Sequence, residues 1–312
     1  MKHYLSNNLL KVTVDTHGAE IQSITDLRTG HEYMWNGDSR FWGRRSPVLF
    51  PIVGSVWEGR YRMDGKEYEL GQHGFARDRE FLPLETDSDD ELWFRLEADE
   101  ESLKLYPRRF RLEIGYRLTG ERVEVMWRVT NLDDRTMHFQ IGAHPAFMYP
   151  DFNASDPVHA YLLFDGKELT SELLSEKGCI GSETLRIERD EDGMLPVTSS
   201  TFDINTIILA GRQVRRVSLL TKERTPYISV LFDAPLVGLW SAAPDCPFIC
   251  IEPWWGRCDR VGFTGEFADR EHVNTLSPSE TFNASYTIIF ENVGIIRRRL
   301  NNSETSETSA NH

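Results

Sequence analysis

Residues 110–129 read "FRLEIGYRLTGERVEVMWRV" and indicate the fold class of the chain. Apolar residues occupy every second position in both halves of this stretch, at Phe110, Leu112, Ile114, Tyr116 and Leu118 and then at Val123, Val125, Trp127 and Val129. A period of two is typical of a half-buried β-strand. The intervening "TGE", residues 119–121, is a short glycine turn. The stretch therefore predicts an antiparallel hairpin.

The same period recurs along the chain on both sides of this hairpin. It appears in "LLKVTVD" (9–15), "AEIQSIT" (19–25), "AYLLF" (160–164), "TIILAG" (206–211), "RVSLL" (216–220), "YISVLF" (227–232), "LVGLW" (236–240), "FICIE" (248–252) and "ASYTIIF" (284–290). The best helix candidate, "GKELTSELLSEKG" (166–178), has room for one or two turns only. These patterns predict an all-β protein with few short helices, in which two large antiparallel sheets pack face to face.

The length of the chain and the absence of an internal linker indicate its domain organisation. All-β sandwiches commonly exceed 200 residues as one unit, and this chain of 312 residues shows no internal linker or repeat. We therefore expect a single domain over residues 1–299. The remainder, "LNNSETSETSANH" (300–312), is polar and has no core residues, which indicates a disordered tail.

Charge and hydropathy exclude several partners. A net charge of -14 disfavours nucleic acid, because phosphate binding needs a basic face. Much of the acid lies in "ETDSDDELWFRLEADEES" (85–102), which we interpret as a solvated hairpin edge and loop. A run of about 18 apolar residues is absent, and the amino-terminal sequence has no signal-peptide pattern, so we expect no membrane span and a cytosolic location. Cys179, Cys246, Cys250 and Cys258 match no common zinc spacing and are predicted to be free, buried thiols.

Three motifs place an ionisable residue among glycines, prolines and aromatics. They are "GQHGFARDREF" (71–81) with His73, "GAHPAF" (142–147) with His144, and "IEPWWGRCD" (251–259) with Glu252. Each has an ordinary structural interpretation: His73 caps a turn, His144 bonds a core carbonyl, and Glu252 pairs with Arg257 or Arg260. Three ionisable residues in such motifs of one sheet protein favour a shared site instead.

These motifs, preceded by "RSPVLFPIVG" (45–54), resemble in order and interval the aldose 1-epimerase (mutarotase) superfamily, in particular its LacX-like branch. The resemblance covers nearly the whole chain except the tail. It implies a galactose mutarotase-like β-sandwich with an open sugar cleft, and interconversion of the α and β anomers of an aldose without a cofactor or metal. The implied partner is a monosaccharide, and the oligomeric state stays open, with a homodimer as one alternative.

The resemblance also implies roles for the three residues. Glu252 would be the general base at the C1 hydroxyl, His144 the general acid at the ring oxygen, and His73 an assistant at the same oxygen or a neighbouring hydroxyl. The chemistry independently needs such a pair, because opening a hemiacetal ring removes one proton at O1 and delivers another at O5. Glutamate and histidine can exchange roles near neutral pH, as a reversible reaction requires.

Further residues are candidates for sugar binding. Arg45 and Arg77 could donate to hydroxyls, although Arg44 is an equal neighbour of Arg45 and strand alternation lets only one face the cleft. Trp254, Trp255 or Phe75 could stack on an apolar sugar face. The family often has a sugar-binding aspartate where "TFDINTIIL" (201–209) offers Asn205, with Asp203 two positions earlier. This departure leaves the identity of the sugar open.

Four alternatives remain at this stage. Two histidines and a carboxylate could form the facial triad of an iron enzyme, but the histidines lack a close His-x-Asp/Glu pattern. A sugar-binding or sugar-sensing module without catalysis could use the same cleft. Glycoside hydrolysis needs two flanking carboxylates, of which only Glu252 has a persuasive setting. Finally, the substrate could be a hexose phosphate, since several arginines are available.

Overall fold

A computed structural model of the chain describes residues 1–291, so the predicted tail at 300–312 lies outside the described residues. The described strands are β1 Lys2–Ser6, β2 Leu10–Asp15, β3 Glu20–Asp26, β4 Val48–Leu49, β5 Arg60–Met63, β6 Lys66–Glu69, β7 Leu82–Leu84, β8 Glu91–Glu97, β9 Phe110–Thr119, β10 Arg122–Asn131, β11 Met137–Phe139, β12 Ile141–Ala143, β13 Ala146–Met148, β14 Ala160–Phe164, β15 Thr170–Leu174, β16 Ile180–Arg186, β17 Met194–Val197, β18 Thr206–Ala210, β19 Arg216–Leu220, β20 Pro226–Phe232, β21 Leu236–Trp240, β22 Phe248–Trp255, β23 Asn274–Leu276 and β24 Thr281–Phe290. One α-helix, α1, spans Glu100–Leu105, and short 3-10 turns lie at Trp57–Gly59, Ala76–Asp78, Glu176–Gly178 and Phe267–Asp269.

Two large antiparallel sheets dominate the fold. The first has nine strands in the spatial order β17-β14-β19-β20-β24-β10-β9-β8-β7. The second runs β16-β15-β18-β21-β22-β12-β4, with β13 also paired to β22. Three small sheets, β1-β2-β3, β5-β6 and β11-β23, complete the described part. The predicted all-β sandwich is confirmed, and each predicted strand run contains a strand.

The predicted hairpin at residues 110–129 lies within the nine-stranded sheet. In β9 and β10, Thr119 pairs with Arg122, so the turn is the dipeptide Gly120–Glu121. The apolar face of the hairpin packs on the second sheet, where Trp127 of β10 meets Trp255 of β22 edge to face, with ring centroids 5.5 Å apart. The main core therefore lies between the two sheets.

Two local predictions need correction. The helix candidate at 166–178 forms strand β15 followed by a 3-10 turn, because β15 hydrogen-bonds to a neighbour on each side. Sheet pairing overrides a weak helical pattern there. The acidic stretch at 85–102 contains β8 as expected, but its end begins α1 rather than a loop. Asp99 accepts from the backbone N–H of Ser102 at 2.6 Å, and the Ser102 hydroxyl accepts from the Asp99 N–H at 2.8 Å, which is a capping box.

The cysteines and the membrane prediction can also be compared with the structure. All four cysteines are free and buried, as predicted. Among residues 1–291, no helix has the length and apolar character needed to cross a membrane. The extent of the single domain, residues 1–299, stays a prediction.

Candidate active site

Strand β22 presents Glu252 on the face of its sheet that points away from the main core. Every residue of β22 is buried. Ile249, Ile251 and Trp255 belong to the main core, whereas Glu252 and Trp254 line a cleft on the opposite face. This is the alternation that a strand imposes on successive side chains. The Glu252 carboxylate, in the middle of a fully buried strand, therefore faces a cleft rather than the core.

Two glycines on neighbouring strands let the Trp254 ring form the floor of the cleft. Gly142 of β12 is the register partner of Trp254, and Gly238 of β21 is the register partner of Glu252. A Cβ atom would lie 2.4 Å from the Trp254 ring at Gly238 and 2.7 Å from it at Gly142. Only glycine leaves room for the indole to lie across both strands.

His144 lies in a bend between two strands that both pair with β22. Strand β12 ends at Ala143 and β13 begins at Ala146, so the bend occupies two residues. It holds the imidazole over the middle of β22, where Nε2 of His144 is 3.3 Å from Oε2 of Glu252. Trp42 stacks on the imidazole, with ring centroids 4.6 Å apart and an interplanar angle of 29°. Stacking and the bend together fix the ring.

A backbone clamp orients His73. Its backbone N–H donates to the Gly54 carbonyl at 2.8 Å, and its Nδ1 accepts from the Gly54 N–H at 3.0 Å. Because the backbone N–H can only donate, Nδ1 must be unprotonated and a neutral His73 carries its proton on Nε2. The residue has φ of 66°, and its ring centroid lies 5.6 Å from that of His144. His73 is thus held as a donor beside His144.

The three predicted residues therefore meet in one cleft of about 320 Å³, a size typical of small-molecule sites. Its lining is formed by Trp42, Val53, Gly54, Gln72, His73, Arg77, His144, Leu174, Gly178, Asn205, Thr206, Ile208, Trp240, Glu252, Trp254 and Cys258. The ordinary pairing considered for Glu252, with Arg257 or Arg260, is not formed, since both arginines contact Glu172 and Glu271 instead.

Three of the five predicted binding residues, Arg77, Asn205 and Trp254, line this cleft. The other two do not. Arg45 turns away and donates from Nη1 to the Gln22 carbonyl at 2.7 Å. Phe75 is a core residue that packs against other phenylalanines. Trp255 also packs in the core.

Arg44, the equal neighbour of Arg45 in sequence, has the more relevant position. It donates to Asp78 at 2.9 Å and carries its charge near Arg77 and the histidines. Strand alternation does not apply to this pair, because Arg44 and Arg45 precede strand β4, and neither residue is part of the cleft lining.

Sequence reasoning missed the aromatic wall of the cleft. Trp42 stacks on His144, and Trp240 meets the same imidazole edge to face at 5.5 Å. Trp240 had a usable signal, because it ends a predicted strand that neighbours the one with Glu252. Trp42 lies in a segment without regular structure, where no period predicts which way a side chain points.

Burial shifts the titration of all three central residues. The pKa of Glu252 is raised well above 4.5 because burial penalises its charge. The pKa of His144 is lowered to about 3 by burial and by the positive charge of Arg77. Burial and the neighbouring His144 likewise lower the pKa of His73 well below 6.5. Both shifts favour the uncharged form of the pair, in which its one exchangeable acidic proton lies on Glu252 rather than on His144.

Several buried polar atoms of the cleft lack a hydrogen-bond partner among the described residues, although Oε2 of Glu252 is within ion-pair distance of His144. They are Nδ1 of His144, Oε2 of Glu252, Nε1 of Trp254 and Nε of Arg77. Each unsatisfied buried polar group costs on the order of 1–3 kcal/mol. Four of them lining one cleft indicate a site shaped for a ligand rich in hydrogen-bonding groups.

One group of potential metal donors also occurs here within residues 1–291. It consists of His144, Cys250 and Glu252. His73 is not a member, so the two-histidine triad considered from sequence does not form.

Two large sheets packed face to face, with a cleft on one sheet that holds His73, His144 and Glu252, are typical of a galactose mutarotase-like fold. The family model for aldose 1-epimerase matches residues 1–168. The chromosomal LacX protein of Lactococcus lactis subsp. lactis is 31% identical over 298 residues, covering 92% of this chain and 99% of that protein. The chain belongs to the aldose 1-epimerase family, and within it to the LacX-like branch.

Solved structures agree with this assignment. A galactose mutarotase related enzyme from Lactobacillus acidophilus superposes with a TM-score of 0.87 at 32% identity, over 94% of this chain and 98% of that one. A galactose mutarotase-like protein from Lactobacillus casei gives a TM-score of 0.87 at 28% identity, over 93% and 100% of the two chains. The sequence resemblance to the family is confirmed.

Proposed function

We propose that the protein interconverts the α and β anomers of a free aldose by acid/base opening and closing of the sugar ring. The observation that carries the proposal is the buried 3.3 Å contact between Nε2 of His144 and Oε2 of Glu252, with His73 beside it in a cleft of monosaccharide size. Family membership supports the reaction class.

The single proton of the His144–Glu252 pair suits this reaction. Ring opening takes the proton of the C1 hydroxyl and gives one to the ring oxygen, so the pair ends with the same number of protons. In the proposed assignment the proton of the pair first passes from Glu252 to His144 across their 3.3 Å contact, and Glu252 then accepts from O1 while His144 donates to O5. Rotation about C1–C2 and the reverse transfers then close the ring as the other anomer. Neither step needs a proton from bulk water.

Other cleft residues position the sugar in this proposal. The Nε2–H of His73 donates to the ring oxygen or a neighbouring hydroxyl, and Arg77 and Asn205 bond further hydroxyls. Asn205 has φ of 74°, a conformation that asparagine tolerates better than most residues, and its amide oxygen accepts from the Thr206 hydroxyl at 2.8 Å. Its amide NH₂ is thus directed to donate. The Trp254 floor offers an apolar surface to the C–H face of the ring.

We favour a free aldose over a hexose phosphate. Arg44 already pairs with Asp78 at 2.9 Å, and Arg77 donates to the Gln72 carbonyl at 2.8 Å. A phosphate is bound best by several arginines that each offer two neighbouring donors, and one terminal nitrogen of Arg44 and one of Arg77 are already engaged here. A cytosolic location belongs to the same proposal, supported by four free cysteines.

Polarimetry of freshly dissolved α-glucose and α-galactose, with and without the protein, tests the proposal. We expect faster mutarotation of at least one free sugar, and a 10²- to 10⁴-fold loss for Glu252→Gln. The matched control is Glu80→Gln, since Glu80 also contacts a histidine, His17, at 3.0 Å but on the exposed surface. Binding of a sugar without faster mutarotation would favour the non-catalytic alternative, and acceleration of phosphorylated sugars alone would contradict the choice of a free aldose.

A further inference from the structure

A third donor lies beside the catalytic pair. Cys250 precedes Glu252 by two residues on β22, so both side chains project from the same face of the strand. One donor atom from each of His144, Cys250 and Glu252 lies within 4.8 Å of the other two. All three residues are buried, with 7%, 0% and 1% of their surface exposed. The proposed sugar chemistry has no use for the thiol.

The three donors are those that Zn²⁺ prefers. Zinc takes thiolate, imidazole and carboxylate ligands in tetrahedral geometry, with bond lengths that place neighbouring donors about 3.3–3.7 Å apart. The two donor atoms that lie farthest apart would have to approach each other by about 1 Å to meet that requirement. Hard cations such as Mg²⁺ or Ca²⁺ are disfavoured, since they require oxygen ligands.

The surroundings suit such an ion. Cys250 lies in an apolar cluster with Trp35, Ala146, Cys246 and Phe248, none of which carries a formal charge. His144 and Glu252 line the cleft, which gives a path for entry. The fourth position of the metal would face this cleft. Three protein ligands and one open position are typical of an accessible zinc site.

We propose that His144, Cys250 and Glu252 form an inhibitory Zn²⁺ site that excludes sugar from the catalytic pair. On binding, the Cys250 thiol proton and the proton held by the His144–Glu252 pair leave to solvent, and thiolate, carboxylate and neutral imidazole coordinate the ion. The inhibition rests on the proposed function. The metal site does not, because its binding can be measured without any turnover.

Co²⁺ serves as the spectroscopic probe for the full-length chain. A thiolate bound to Co²⁺ gives a ligand-to-metal absorption band, and added Zn²⁺ should remove the band by displacement. We expect the band in the unmodified protein and its loss in Cys250→Ser. The controls are Cys246→Ser, a thiol of the same apolar cluster, and Cys258→Ser, a thiol that lines the cleft; both should keep the band.

Affinity gives a second readout. Loss of an outer partner of a zinc ligand already weakens binding about 10- to 100-fold, so loss of the ligand Cys250 should weaken Zn²⁺ binding at least tenfold. The Zn²⁺ concentration that halves each variant's own mutarotation rate should rise by the same factor. Cys250→Ala repeats the test if the serine variant misfolds, as judged by circular dichroism.

The outcomes separate the two proposals. A Co²⁺ band that persists in both Cys250 variants, or equal Zn²⁺ affinity with and without Cys250, overturns the site. A Cys250-dependent band in a protein that accelerates no aldose supports the metal site and contradicts the proposed function. Zn²⁺ binding that leaves mutarotation unchanged contradicts the inhibitory role.

Discussion

Glu252 Oε2 and His144 Nε2 lie 3.3 Å apart, with 1% and 9% of the two side chains exposed. A second pair of the same chemistry, His17 and Glu80, lies 3.0 Å apart with both side chains more than half exposed. The chain therefore supplies its own control. Properties that depend on burial should be found only in the His144–Glu252 pair. Properties of any histidine–glutamate contact should be found in both pairs.

The pH dependence of turnover should show no break at the ordinary pKa of histidine. Burial lowers the pKa of His144 to about 3 and raises that of Glu252 well above 4.5, so the pair keeps its single proton across the intervening range. We expect kcat/KM, corrected for spontaneous mutarotation, to show no inflection near pH 6.5, the ordinary pKa of histidine. A tenfold change per pH unit around 6.5 would contradict the assigned protonation states.

Glu252→Gln should stabilise the fold while it slows turnover. Because the folded pKa of Glu252 is raised, the unfolded chain loses a proton above pH 4.5 that the folded chain keeps. Stability from this group is therefore full below pH 4.5 and falls as pH rises, by about 1.4 kcal/mol per unit until the folded pKa is reached. We expect the variant to gain about 1–3 kcal/mol in free energy of unfolding at pH 7 and little at pH 4.

Denaturant unfolding at both pH values measures this gain. Glu80→Gln is the control, and its exposed position should keep its effect within about 0.5 kcal/mol. A loss of stability in Glu252→Gln at pH 7 would show that the carboxylate is ionised in the fold.

Gly238→Ala should displace the floor of the cleft. Its Cβ would lie 2.4 Å from the Trp254 ring, which must move or strain the sheet. Overpacking of this kind costs about 1–3 kcal/mol. We expect a higher KM for sugar and a lower melting temperature. Gly71→Ala is the control, since a Cβ there meets nothing within 4 Å, and an equal change in KM for both variants would argue against the Trp254 floor.

Two substitutions at His73 should separate its structural role from its chemical role. Asparagine tolerates positive φ and can still accept from the Gly54 N–H through its side-chain oxygen, whereas alanine cannot. His73→Asn should lose rate by about tenfold or more through loss of the Nε2 donor, with stability nearly kept. His73→Ala should lose as much rate and also about 1 kcal/mol of stability. Equal stability of the two variants would contradict the clamp by Gly54.

Period-two patterning predicted the sheets because each strand is buried on a defined face. The hairpin of β9 and β10 and the glycine turn at Gly120 follow from local sequence alone. The segment at 166–178 misled because its apolar spacing suits a short helix as well as a strand, and only pairing with β16 and β18 decides between them. Asp99 and Ser102 have the spacing of a helix cap, but they lie in a stretch of acidic residues that is typical of a solvated loop.

The centre of the site was predictable because its residues lie in short motifs that constrain the backbone. His144 follows a strand and precedes a proline, and Glu252 lies on the polar side of an apolar strand. Arg45 and Phe75 could not be placed in the same way. Their orientation depends on contacts with Gln22 and with core rings that are distant in sequence.

The most direct test of the account is a double-mutant cycle on the buried pair, read by NMR exchange between the anomers of an accepted aldose. If His144 and Glu252 act as one unit, His144→Asn, Glu252→Gln and the double variant should lose about the same factor, between 10² and 10⁴, because removing either partner disables the proton transfer. The His17→Asn and Glu80→Gln cycle should leave the exchange rate unchanged. Exchange as fast in His144→Asn and Glu252→Gln as in the unmodified protein would contradict the central claim.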